Sequence, residues 1–180
     1  MDHALAIVTD EGRSPAVVHE AAALAAATGA RLTVLAVTPE EAYQHHREVM
    51  DESGASEPYT IDQAQEAAEY TATEVAADAV DGLDVDYEVA GIVGDPADSV
   101  LRAAESLGCD HVFFPNVRHT PAGKALFGDV GQELLLRFDG FVTMKSVDYG
   151  SEADGADGTD GPDGPDERGP SDASEDDPDA

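Results

Sequence analysis

GDPADSVLRAAESLGCDHVFF, residues 94–114, is the stretch that decides the fold. Gly94-Asp95-Pro96 is a helix opening, an aspartate cap followed by proline at the first helical position, where a missing N–H costs nothing. Val100, Leu101, Ala104 and Leu107 then recur at helical spacing, and Gly108 supplies the stop. Directly beyond it, His111 to Phe114 is a short apolar run of strand type. A capped helix leading into a buried strand is half of a β-α-β unit. Asp95 and Asp98 are acids in a first helical turn, where the dipole and free N–H groups favour them without any catalytic role.

The same alternation continues on both sides. Upstream, Ala4 to Thr9 is a continuous apolar run closed by Asp10, Glu11 and Gly12, the pattern of a strand buried on both faces. Ser14-Pro15 opens an Ala-rich helix that runs to Thr28 and stops at Gly29. Arg31 to Thr38 reads as a second strand, closed by Pro39. Ile61 to Val80 is a helix with Ile61, Ala64, Ala68, Thr71, Val75 and Ala79 on one face, and Val85 to Ile92 is a third strand. Between them, from Glu40 to Tyr59, periodicity fades and a mobile insertion with one short helix is expected. Downstream, Pro115 to Phe127 is a basic, turn-rich loop, Val130 to Phe138 a helix and Phe141 to Val147 a last strand. The order predicts an α/β domain over residues 1–148, with an open, mostly parallel five-stranded sheet and helices on both faces. Residues 149–180 are rich in Gly, Pro, Ser and Asp with almost nothing apolar, so they are expected to form a disordered acidic tail, serving solubility or interaction.

The charge narrows the choice of partner. Thirty-nine acidic residues stand against 9 basic ones, a formal net charge of −30, and the domain stays strongly acidic without the tail. Nucleic acid and anionic membranes are disfavoured, since both are bound through Lys and Arg clusters absent here. Lys124 and Lys145 are the only lysines. That balance fits a proteome adapted to molar salt, where carboxylates keep a protein hydrated and screening removes their repulsion. The alternative is an acidic protein of ordinary salt that binds cations. Cys109, the single cysteine, excludes an intrachain disulfide, and no apolar run resembles a signal peptide or membrane span, so a cytoplasmic location is expected.

Three segments resemble the universal stress protein family, together spanning residues 3–147: AIVTDEGRSP, GDPADSVLRAAESLGCDHVFF, and the loop after the fourth strand. In the family that loop runs Gly, two residues, Gly, nine residues, then Gly and Ser or Thr. Here the spacing falls on Pro115, Arg118, Gly128 and Asp129. The resemblance implies a Rossmann-like domain acting in stress response by binding rather than turnover, non-enzymatic, and a homodimer paired through strand 141–147. It also implies a nucleotide site at Asp10, Ala36, Val37, Gly128, Asp129 and Val130, with ATP as the possible cofactor.

The departures from the pattern bear on that site. Pro115 has no N–H to offer a phosphate, Arg118 carries a side chain where close approach needs none, and Asp129 sets a carboxylate against the anion. Against this, Arg118, His119 and Lys124 gather three cations in one loop, able to hold a small anionic ligand or to pair with Asp129 and Glu133. Asp10 is either a ligand contact or a cap on the turn into the first helix. A slow ATP hydrolase is a third possibility, but no nucleophile with its base is evident. No metal site is expected: His45-His46 lack a third ligand at suitable spacing and read as solvated loop residues, and Cys109 reads as a small core residue.

Overall fold

The computed structural model describes residues 1–9, 15–54, 58–118 and 128–148, with backbone alone at 116–118, 128, 129, 147 and 148. Its elements in order are β1 (His3–Val8), α1 (Pro15–Thr28), β2 (Arg31–Pro39), α2 (Glu40–Glu52), α3 (Ile61–Ala79), β3 (Tyr87–Gly94), α4 (Pro96–Leu107), β4 (His111–Arg118), α5 (Gly128–Arg137) and β5 (Phe141–Asp148). The five strands form one parallel sheet in the order β3-β2-β1-β4-β5. The Ser14 cap and the tail from 149 onward lie outside the described residues.

β1 is the central strand, and all six of its residues are buried. Ala4, Ala6 and Val8 join a core with Val18, Ala22 and Ala25 of α1 and Ala72 and Ala76 of α3. Leu5 and Ile7 point the other way, into a core with Val100 and Ala104 of α4 and Leu134 of α5. Alternate residues of a strand face opposite sides, so a strand sandwiched between helices shows an unbroken apolar run. The small side chains of α1 and α3 let both helices approach the sheet closely.

The helix signals act as the sequence indicates. Asp95 caps α4, its side chain accepting a hydrogen bond from the Asp98 N–H at 2.9 Å, with Pro96 at the first position. The helix ends at Gly108 in the left-handed conformation, φ 67°. Thr60 and Gln63 form a reciprocal capping box at the start of α3. Cys109 is buried in the α4–α5 core, and burial pushes its thiol up to about 11. It is therefore no thiolate nucleophile near neutral pH.

Two expectations need correction. Residues 40–52 form a 13-residue helix, α2, rather than part of a mobile insertion. A short helix is expected in this segment, but its extent is not legible because Tyr43 is its one buried residue, which leaves little apolar period to read. β4 also extends through Pro115 to Arg118, where a loop was expected. Proline is tolerated there because the ladder between β1 and β4 ends at Ala6 and Phe113. From Phe114 onward β4 is paired only with β5 and behaves as an edge.

Long-range polar contacts tie the amino end of the sheet together. His3 is buried, with Nδ1 3.1 Å from the Leu107 carbonyl and Nε2 2.9 Å from Thr33 Oγ1. A carbonyl only accepts, so Nδ1 carries the proton. The Asp110 carboxylate accepts hydrogen bonds from the N–H of Asp2 (3.1 and 3.0 Å) and of His3 (3.1 Å). Partial burial pushes the Asp110 carboxyl upward, but the His3 and Asp2 N–H groups and the N-terminal ammonium outweigh it and hold it below the usual carboxylate range. A depressed folded-state pKa stabilises above the unfolded value and loses that contribution as pH falls through the folded one. The thermal midpoint is therefore expected to exceed that of Asp110→Asn at neutral pH, with the gap closing below about pH 4. A gap independent of pH would show that the carboxylate charge plays no such part.

Candidate functional site

In an open parallel sheet the ligand crevice lies beyond the carboxyl ends of the strands, where strand order reverses. Here the reversal falls between β1 and β4. The ladders show how the crevice opens. β1 pairs with β4 only as far as Ala6 and Phe113. The flanking ladders continue, β2 with β3 to Pro39 and Gly94, and β4 with β5 to Arg118 and Asp148. The two halves of the sheet therefore separate past Phe113, with the carboxyl ends of β1 and β4 on either side of the gap.

The candidate residues fall around this gap in different ways. Asp10, His119 and Lys124 lie outside the described residues. Ala36 and Val37 are 4% and 2% exposed, one in each core, so only their main chain is available to a ligand. The β1 ladder stops at Ala36, which leaves the β1-facing edge of residues 37–39 beyond the end of that strand. Arg118 is the last residue of β4 and pairs with Asp148. Gly128 and Asp129 are the first two residues of α5, and Val130 is buried behind them against the sheet. Of the two carboxylates considered as partners for the loop cations, Glu133 is held by Arg137 at 2.7 Å, and Arg137 reaches on to Asp98 at 2.8 Å. That network joins the last turn of α5 to the start of α4.

Positions 115 and 118 of the glycine pattern thus belong to a strand. Their backbone follows the β5 ladder, pairing with Lys145 and Asp148, instead of curling into a cluster of N–H groups. Among the described residues no three His, Cys, Asp or Glu side chains are grouped to hold a metal ion, and no helix is long and apolar enough to cross a membrane.

A match to the universal stress protein family runs over residues 1–144. The chain belongs to that family. No curated protein matches it. Among solved structures, hypothetical protein MJ0577 is similar at 16% identity and TM-score 0.57, covering 81% of this chain and 96% of the other. The universal stress protein from Archaeoglobus fulgidus is similar at 17% identity and TM-score 0.53, covering 80% and 97%. At such identities the likeness is one of fold. In this universal stress protein the fourth strand runs through positions 115 and 118 of the glycine pattern.

One group of side chains near the crevice carried no local signal. Tyr43, His46 and Tyr59 meet beside Thr38 at the end of β2. His46 is exposed, as expected, but stands on α2 rather than in a loop. Tyr43 and Tyr59 are 16 residues apart, and only the tertiary fold brings their rings together.

Proposed function

We propose that this chain is a non-catalytic universal stress protein with a regulatory or protective role in stress, acting by association, and that its nucleotide cradle has degenerated. The observation that carries this is the path of β4. Pro115 has no N–H to offer a phosphate, and Pro115 and Arg118 continue a strand in register with β5 instead of turning into a cluster of N–H groups. Asp129, second in α5, adds a carboxylate at the helix start where an anion would sit. Titration calorimetry of ATP, ADP and AMP in molar KCl is expected to give no saturable binding below millimolar ligand. Saturable micromolar binding would overturn the proposal.

The association we infer is a homodimer through β5. This edge strand exposes Phe141 to 72% and Met144 to 43%, more apolar surface than an edge facing water favours. Light scattering that returns a monomer at micromolar protein would refute it. We place the protein in a salt-rich cytoplasm, in keeping with its net charge of −30. The second reading is a sensor of ATP or another small anion, using Arg118, His119 and Lys124. It is favoured by the crevice itself, beyond whose opening β4 ends at Arg118. Nucleotide binding abolished by triple replacement with alanine would establish it in place of the first.

A further inference from the structure

α2 and α3 enclose a cleft of about 210 Å³ beside Thr38. Three rings wall it. Tyr43 and Tyr59 have centroids 5.9 Å apart and tilted by 38°, and His46 meets Tyr59 edge-on at 4.5 Å. The floor is the face of α3 carrying Ala64, Ala67 and Ala68, whose methyl groups leave the space between the helices unfilled. Among the described residues no carboxylate, ammonium or guanidinium lines the cleft.

The two helices that form the cleft are strongly acidic. α2 carries five carboxylates against the single guanidinium of Arg47, and α3 carries five carboxylates and no basic residue. Ten carboxylates on these two helices disfavour an anion there, nucleotides included, and favour cations. A metal ion would still require oxygen or nitrogen ligands aimed inward, which the lining does not supply as a set. An alkylated ammonium requires none, because it is weakly hydrated and is held by the faces of aromatic rings and by apolar walls. Tyr43 already serves a cation in this way, with Arg47 Cζ 6.0 Å from its ring centroid.

We propose that this cleft binds a small quaternary ammonium cation between the rings of Tyr43, His46 and Tyr59, over the alanine floor of α3. The site adjoins the carboxyl end of β2 at Thr38 but is formed by α2, α3 and Tyr59, so choline binding is measured independently of nucleotide binding in the strand-end crevice. The probe is choline chloride, titrated into the full chain by calorimetry at fixed ionic strength in KCl. Saturable binding in the millimolar range is expected. Ala67→Leu, at an exposed helical position, fills the floor with a good helix former and is expected to weaken choline about tenfold or more. Tyr59→Leu is expected to weaken it similarly, and melting curves establish that both variants are folded. The neutral isostere 3,3-dimethylbutan-1-ol should bind about tenfold more weakly than choline, because only the cation gains from the ring faces. The proposal is overturned by absent choline saturation, by equal binding of the neutral isostere, or by a folded Ala67→Leu variant that binds as tightly as the parent.

Discussion

Gly91→Ala is expected to lower stability by about 3 kcal/mol or more, one of the largest effects of any single methyl group in this chain. Gly91 lies within β3, paired with Ala36 of β2. α3 crosses this strand so closely that a Cβ at position 91 would overlap the main-chain O of Gln65 and N of Glu69, with the Ala68 carbonyl carbon 3.0 Å away. These are backbone atoms of a helix, which cannot rotate aside as a side chain would. Relief requires α3 to lift off the sheet, which loosens Ala68, Ala72, Val75, Ala76 and Ala79 together, the whole α3 contribution to one core. Against a typical total of about 5–15 kcal/mol this is a large fraction.

The comparison that isolates the cause is Gly29→Ala. Gly29 has φ 68°, so alanine is strained there, but nothing lies within 4 Å of the added methyl. Its expected cost is about 1–2 kcal/mol, from backbone conformation alone. Urea unfolding of both variants at constant KCl separates the two mechanisms. If Gly91→Ala costs no more than Gly29→Ala, the close approach of α3 to β3 is wrong.

Phe114→Ala is expected to cost about 3–5 kcal/mol, the range for removing a fully buried aromatic ring. Phe114 is 1% exposed and packs in the core with Leu5, Val112, Val130 and Leu134. Gly131 of α5 fits against it: a Cβ on Gly131 would lie 3.5 Å from the Phe114 ring. The ring is thus the seat of α5 on β4, just past the point where β4 leaves β1. Truncation should also loosen the start of α5, where Gly128 to Val130 border the crevice, and hydrogen exchange there is expected to rise more than in α3. Phe141→Ala, at an exposed ring on the edge strand, is expected to change monomer stability by less than about 0.5 kcal/mol. A loss below about 1 kcal/mol for Phe114→Ala would mean that α5 is not held by this ring.

These two positions mark the difference between what a local stretch of chain specifies and what assembly specifies. The bounds of α4 were legible because Asp95, Pro96 and Gly108 act on their own backbone, through a cap, a fixed φ and a left-handed turn. The burial of β1 was legible because a strand covered on both faces has no polar alternation. The chain of alternating strands and helices followed from such signals, and with it the parallel sheet. In the candidate site, the family's pattern pointed to positions 115, 118, 128 and 129, and the sequence itself disclosed that two glycines of the pattern were gone.

What the local signals could not carry was any property belonging to a pair of distant segments. Pro115 reads as a loop residue on its own, and becomes part of a strand because β5 pairs with it while β1 has already turned away. Gly91 reads as a weak point in a strand, and becomes necessary only when α3 lies across it. α2 has a single buried anchor, Tyr43, so its packing shows no period, and the aromatic cleft it forms exists only once Tyr59 arrives from the far end of the connection. The sequence by itself determined the five strands, their alternation with helices and the parallel sheet this implies, because caps, periodicity and backbone preferences act within a few residues. The tertiary structure decided where the sheet parts, which glycine is irreplaceable and which rings share a cleft, because those depend on contacts between surfaces that meet only after the chain has folded.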